Sequence, residues 1–250
     1  MRAPLAGQKV WVVGASSGIG AELARELVRR GADVAISGRR TAELEDVSAG
    51  AMTTVPVDVT DSAAVDAAAA AVRERLAGLD IVVHSAGYWK QFDAAAWDRD
   101  VFARHVEVNL LGLNNVLGAV VPGFVAQHRG HVVGIASVAG YRGLAGSEAY
   151  GATKAAQLNL LEGLRASLSP KGVQVTTVAP GFVRTEMTSV NDFPMPFLIE
   201  ADEAGRSIAD GLERGHENIV FPKRMALAAG VARIVPGRVW TALTSRGARA

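Results

Sequence analysis

The chain has 250 residues, 26 Lys and Arg against 25 Asp and Glu, 49% hydrophobic residues and no cysteine. That length fits one large α/β domain, the near-zero charge leaves no global field to recruit nucleic acid, and the lack of thiols excludes disulfides and thiolate metal sites. The histidines show no metal-ligand spacing, no uncharged apolar run reaches the roughly 18 residues of a membrane span, and the first residues run straight into a strand, so no signal peptide and a cytoplasmic setting are expected.

Strand-like and helix-like stretches alternate from there. Residues 9–13 are a short apolar run, followed by glycines and a helix through Arg30 that Gly31 ends. Residues 32–37 read as the second strand, Thr41 as the cap of a short helix, and residues 52–57 as the third strand. Asp61 caps an alanine-rich helix, alanine being the easiest residue to place in one, and residues 80–84 are the fourth strand. A long helix is expected over about 98–127, a strand at 131–136, a helix at about 148–168 and a strand at 173–178. These strands are continuous apolar runs, as buried parallel strands are. The repeated βα alternation predicts an α/β fold, a single Rossmann-type doubly wound domain around a mostly parallel sheet.

Gly14, Ala15, Ser16, Ser17, Gly18, Ile19 and Gly20 lie between the first strand and the first helix. Glycine lets backbone approach a ligand closely, and a helix start offers free amides and a positive dipole end to a pyrophosphate. About 20 positions on, where an NAD site carries an acidic residue for the ribose hydroxyls, this chain has Gly38 followed by Arg39 and Arg40. A guanidinium forks onto a 2′-phosphate that a carboxylate would repel, which favours NADP(H) and leaves NAD(H) as the alternative. Tyr150 and Lys154, four apart on a helix, share a face. A phenol with its ordinary pKa of about 10 is a poor base, and a neighbouring ammonium is expected to pull that value down. Ser137 closes a strand at the carboxyl edge, where open α/β sheets place their chemistry.

Taken in order, Gly14-x-x-x-Gly18-x-Gly20, Asn109, Ser137, Tyr150, Lys154 and Pro180-Gly181 resemble the short-chain dehydrogenase/reductase family, over about residues 8–222. The resemblance implies a seventh strand, best matched by residues 218–221. It implies that Ser137 and Tyr150 bond the substrate oxygen and that Tyr150 gives or takes the proton. Lys154 would lower the Tyr150 pKa and bond the nicotinamide ribose, and Asn109 would hold a water relaying protons to Lys154. Asp58 and Val59 would meet the adenine, Ala86 and Gly87 would lie close against the cofactor, and Pro180, Gly181, Val183 and Thr185 would meet the nicotinamide carboxamide. The family's Asn-Asn-Ala-Gly stands here as His84, Ser85, Ala86 and Gly87, a departure at the first two positions. A homodimer or homotetramer through the helices at 98–127 and 148–168 is also implied.

After the nicotinamide turn, residues 187–200 are apolar and broken by Pro194 and Pro196, and read as a lid over an apolar substrate. Tyr88, Trp89, Tyr141 and Phe182 are expected to line that pocket. Residues 1–222 are thus the cofactor-binding and catalytic domain. From Phe221 to Ala250 six basic residues stand without an acidic one, and residues 225–235 are apolar around a helical repeat. Residues 223–250 are expected to be a basic amphipathic extension that packs on the domain, on a second subunit or on an anionic membrane surface. The expected activity is an NADP(H)-dependent oxidoreductase moving hydride between nicotinamide and a carbonyl or secondary alcohol of an apolar substrate. The alternatives are an NAD-dependent hydroxysteroid or hydroxy-lipid dehydrogenase and a non-catalytic NADP-binding sensor.

Overall fold

In the computed structural model, which describes residues 4–244, apolar strands and helices alternate in the expected order. β1 (Lys9–Val13), α1 (Gly18–Arg29), β2 (Asp33–Ser37), α2 (Thr41–Ser48), β3 (Thr53–Thr54), α3 (Ser62–Arg75) and β4 (Ile81–His84) lead to α4 (Arg99–His105). A π-helical stretch, Val106–Leu111, joins α4 to α5 (Gly112–Ala126). Then come β5 (Gly130–Ile135), α6 (Glu148–Leu168), β6 (Val173–Pro180), and the two-residue strands β7 (Val183–Arg184) and β8 (Ile199–Glu200). The chain continues with α7 (Ala201–Glu213), β9 (Asn218–Phe221), α8 (Lys223–Ile234) and α9 (Gly237–Thr244). Arg246 and Arg249 of the expected basic extension lie outside the described residues.

The main sheet has seven strands in the order β3-β2-β1-β4-β5-β6-β9, every pairing parallel. β9 is thus the seventh strand implied by residues 218–221. Both faces are covered, which is why the strands carry no polar alternation. On one face Leu23 and Leu27 of α1 and Ile208 and Leu212 of α7 pack on Val12, Ile36 and Val83. On the other, Val65 and Val72 of α3, Leu113, Val116 and Val120 of α5 and Leu161 of α6 pack on Trp11, Val82 and Val132. The helical run 99–126 is long and apolar enough to cross a membrane, with a mean hydropathy of 1.5, yet Leu113, Val116, Val120 and Phe124 are buried in this core.

Two local expectations are corrected. The third strand is shorter than 52–57: only Thr53 and Thr54 pair in register with β2, and beyond them Val55 and Val57 still donate to the Ile36 and Gly38 carbonyls at 2.9 Å while the Val55 carbonyl accepts the Ser37 hydroxyl. Thr41 is the first residue of α2 rather than its cap, the cap position falling to Arg40 without a side-chain bond. Asp61 does cap α3, accepting from the Ala64 amide at 3.0 Å.

The strand order reverses between β1 and β4, and open α/β sheets bind ligands outside the carboxyl ends at such a point.

Candidate active site

At that edge lies one cavity of about 590 Å³, lined at one end by Gly14, Ser16, Ser17, Gly18 and Ile19 of the first βα turn. Gly14 has φ +88, and a Cβ there would sit 2.3 Å from the Ala86 amide nitrogen, so the turn closes only without a side chain. Gly20 does not line the cavity: a Cβ on it would meet the Gly14 carbonyl oxygen at 2.2 Å, which makes it the residue that lets the turn fold onto itself.

Arg39, Arg40, Asp58 and Val59 line the same end. Arg40 donates to Ser17 Oγ at 2.9 Å and to Ser16 Oγ at 3.3 Å, and pairs with Glu186 at 2.8 Å across the cavity mouth. Burial works against the charged Asp58 carboxylate, but bonds from the Thr60 amide and hydroxyl, with Arg39 and Arg104 nearby, outweigh it and hold the carboxyl below its usual range. This end therefore offers two guanidinium groups and, at Gly38, no carboxylate.

Ala86, Gly87, Tyr88 and Trp89 follow β4 along the cavity, and Pro180, Gly181, Val183 and Thr185 follow β6. Ser137, Tyr150 and Lys154 meet between them. Ser137 begins a 3₁₀ turn, its hydroxyl oxygen accepting from the Ala139 amide at 3.1 Å. Tyr150 stands in the first turn of α6, with the Trp89 ring edge-on at 5.3 Å.

The Tyr150–Lys154 pair differs from expectation. Burial pushes the Tyr150 hydroxyl up to about 12, only partly offset by the nearby Ser137 hydroxyl. Lys154 Nζ lies 5.5 Å from the Tyr150 ring centroid and donates instead to the Ile135 carbonyl and to Gln157 Oε1, each at 2.9 Å. Burial brings the Lys154 ammonium down to about 7. Each charged form loses solvation to its surroundings, so proximity alone does not make the phenol acidic.

Asn109 also differs. It sits in the π-helical stretch, a distortion that recurs at functional sites, but it does not line the cavity. Its Oδ1 accepts from the Tyr88 amide at 2.7 Å, and its Nδ2 donates to the Tyr88 carbonyl at 3.1 Å and Thr153 Oγ1 at 3.0 Å. Its carbonyl accepts from Gln157 Nε2. The Gln157 side-chain amide thus bridges Lys154 and the Asn109 carbonyl directly. Gln157 was missed in the sequence; the available signal was its position three residues past Lys154, on the same helix face.

His84, at the end of β4, is 2% exposed, and neither ring nitrogen has a partner among the described residues. Burial and the Lys154 charge push its pKa down to about 3, so it is neutral at ordinary pH.

The segment 187–200 touches the cavity through Met187, Thr188 and Val190. Trp89 Nε1 donates to Asn191 Oδ1 at 2.9 Å, tying that segment to the residues after β4. Of the four aromatics expected in the pocket, Tyr88 and Trp89 line it. Phe182 instead stacks edge-on with Phe193 at 6.1 Å, and Tyr141 lies under the Arg233 guanidinium at 5.0 Å.

A parallel doubly wound sheet with a glycine turn at its switch point, and a Ser and a Tyr beside a buried Lys at the same edge, is the architecture of a nucleotide-dependent oxidoreductase. The chain belongs to the short-chain dehydrogenase/reductase family: the family's "short chain dehydrogenase" sequence profile matches residues 8–193. An uncharacterized oxidoreductase of Myxococcus xanthus is 39% identical over 241 residues, 94% of this chain and 95% of that one. The glycine betaine reductase ATRR of Emericella nidulans is 35% identical over 215 residues, 84% of this chain but 17% of that one. Among solved structures, a short-chain dehydrogenase from Burkholderia cenocepacia in complex with NADP superposes with TM-score 0.85 at 27% identity, covering 97% of this chain and 99% of that one. One from Sphingobium yanoikuyae in complex with NADPH gives TM-score 0.79 at 30% identity, covering 90% and 93%.

Proposed function

We propose that this oxidoreductase is an NADP(H)-dependent carbonyl reductase, in reverse an alcohol dehydrogenase, acting on an apolar substrate. The observation that carries the reading is one cavity with two arginines and a glycine turn at one end and Ser137, Tyr150 and Lys154 further in. The glycine turn fits a pyrophosphate: without side chains at Gly14 and Gly20 it closes tightly on Ala86 and on itself, and the start of α1 at Gly18 and Ile19 faces the cavity, where helix N-terminal amides favour an anion. Arg39 and Arg40 would take a 2′-phosphate, Asp58 and Val59 the adenine, and the turn from Pro180 to Thr185 the carboxamide. When bound, the nicotinamide supplies or accepts the hydride.

The chain's own residues handle the proton and the charge. Ser137 Oγ already accepts from the Ala139 amide, which leaves its proton to donate to the substrate oxygen. Tyr150, with its pKa up at about 12, holds its proton at ordinary pH and has it available for a developing alkoxide, which is more basic still. As the proton leaves, the buried ammonium of Lys154 faces the growing phenolate charge in a low-dielectric site, where such stabilisation is largest. The aromatic and apolar residues Tyr88, Trp89, Met187 and Val190 would receive an apolar substrate.

Homo-oligomerisation through the helical faces of 98–127 and 148–168 belongs to the same proposal, and Leu111, 49% exposed, is an apolar side chain open to such contact. The test of function is a single turnover of NADPH with an activated apolar ketone. Oxidation of NADPH that stops on Tyr150→Phe supports a reductase; tight NADPH binding without turnover across a ketone panel would favour a sensor.

A further inference from the structure

The C-terminal helix pair is clamped beside the cavity yet leaves an apolar face uncovered. Met225 and Ala229 of α8 are buried against the domain. Met225 packs so closely on the turn after β6 that a Cβ at Gly181 would lie 2.6 Å from its Cγ. Arg142 donates to the carbonyls of Ala232 and Val235 at 2.8 and 2.7 Å, and its guanidinium lies 5.4 Å from the Trp240 ring centroid. Trp240 Nε1 donates to the Gly143 carbonyl at 2.7 Å. Residues 141–143 follow directly on the turn that Ser137 begins, so α8 and α9 are held next to the catalytic edge.

On their outer side α8 exposes Leu227, Val231 and Ile234 at 72%, 51% and 81%, and α9 exposes Val239 and Leu243 at 49% and 58%. The spacings of four and three on α8, and of four on α9, each place their side chains on one helix face. Lys223, Arg224, Arg233 and Arg238 on the same two helices are exposed, and no acidic residue follows Glu217 in the chain.

We infer that this face docks on an anionic lipid bilayer. Apolar side chains entering the acyl boundary, with cations meeting lipid phosphates, are what binds a basic amphipathic helix in the interfacial plane. A second copy fits less well: a two-fold contact is self-complementary and would bring the same acid-free basic surfaces face to face. The consequence for catalysis, that an apolar substrate reaches the cavity from the lipid side, rests on the function proposed above; the docking itself does not.

The experiment is flotation of the full chain with vesicles of phosphatidylcholine alone and with added phosphatidylserine, at low and high salt. Co-flotation with the phosphatidylserine vesicles, weakened by salt, is expected. Lys223→Gln with Arg224→Gln should weaken partitioning on the order of tenfold or more, since each cation near the surface contributes. Leu227→Asp with Ile234→Asp should release the protein while leaving its circular dichroism and its turnover of a water-soluble ketone unchanged. Absence of flotation by the folded wild type at low salt overturns the inference, as does equal flotation of the Asp variant. So does a wild type that fails to float but shows, by light scattering, a larger mass than the Asp variant, because the face is then an interface between copies. Turnover measured in parallel separates a failed docking surface from a failed enzymatic reading.

Discussion

Removing the Gln157 amide should move the pH dependence of the enzyme without unfolding it. Gln157→Met keeps the volume but deletes Oε1, one of two acceptors for the Lys154 ammonium, leaving the Ile135 carbonyl at 2.9 Å. A hydrogen bond to a charged group is worth about 1.5–3 kcal/mol, and one pKa unit is about 1.4 kcal/mol. Lys154, already brought down to about 7 by burial, should therefore lose a further one to two units, roughly. Any step that needs the ammonium is supported below that pKa and lost as pH rises through it. The alkaline limb of kcat/KM for NADPH, which reports the free enzyme, should then fall about one to two pH units earlier than in the wild type. A limb that stays in place, in a variant whose melting temperature and circular dichroism are near normal, would refute the assignment of Gln157 as the residue that keeps Lys154 charged.

Tyr150→Phe should lower kcat by at least about a hundredfold, the low end for general acid–base catalysis, and near-normal turnover would remove Tyr150 from the chemistry. Arg39→Ala should lower the ratio of NADPH to NADH specificity constants, and an unchanged ratio defeats the 2′-phosphate assignment. Glu186→Gln should tighten NADPH binding by up to about fivefold, because it frees Arg40 from an exposed ion pair worth about 1 kcal/mol at most; isothermal titration checks it. Stability should fall on acidification, because His84 and His131, with pKa values pushed down by burial to about 3 and about 4, are neutral when folded and protonate near 6.5 when unfolded. That stability is present above pH 6.5 or so and is lost as pH falls toward those folded values, by up to about 1.4 kcal/mol per pH unit for each histidine. Urea titrations of the wild type and His84→Asn at several pH values would show a shallower slope in the variant, and identical slopes would contradict the account.

Much of this protein was legible in one dimension because the relevant forces are local or periodic. Continuous apolar runs, glycine at the first βα turn and Asp61 at a helix start each follow from backbone and burial chemistry within a few residues. They fixed the order of elements and the place of the crevice. The spacing of Tyr150 and Lys154 put them on one helix face, and Ser137 at a strand end put it at the same edge. What periodicity could not reach was the direction of side chains in the assembled interior. Only the packing of α6 against the π-helical stretch decided that Gln157 bridges Lys154 and Asn109, and that Asn109 turns to Tyr88 rather than into the cavity. Only burial, a property of the whole fold, decided that Tyr150 rises toward 12 while Lys154 falls toward 7. A four-residue spacing carries the Coulomb attraction between two groups, but solvation is lost through every neighbour that surrounds them, and those neighbours come from strands and helices far apart in the chain.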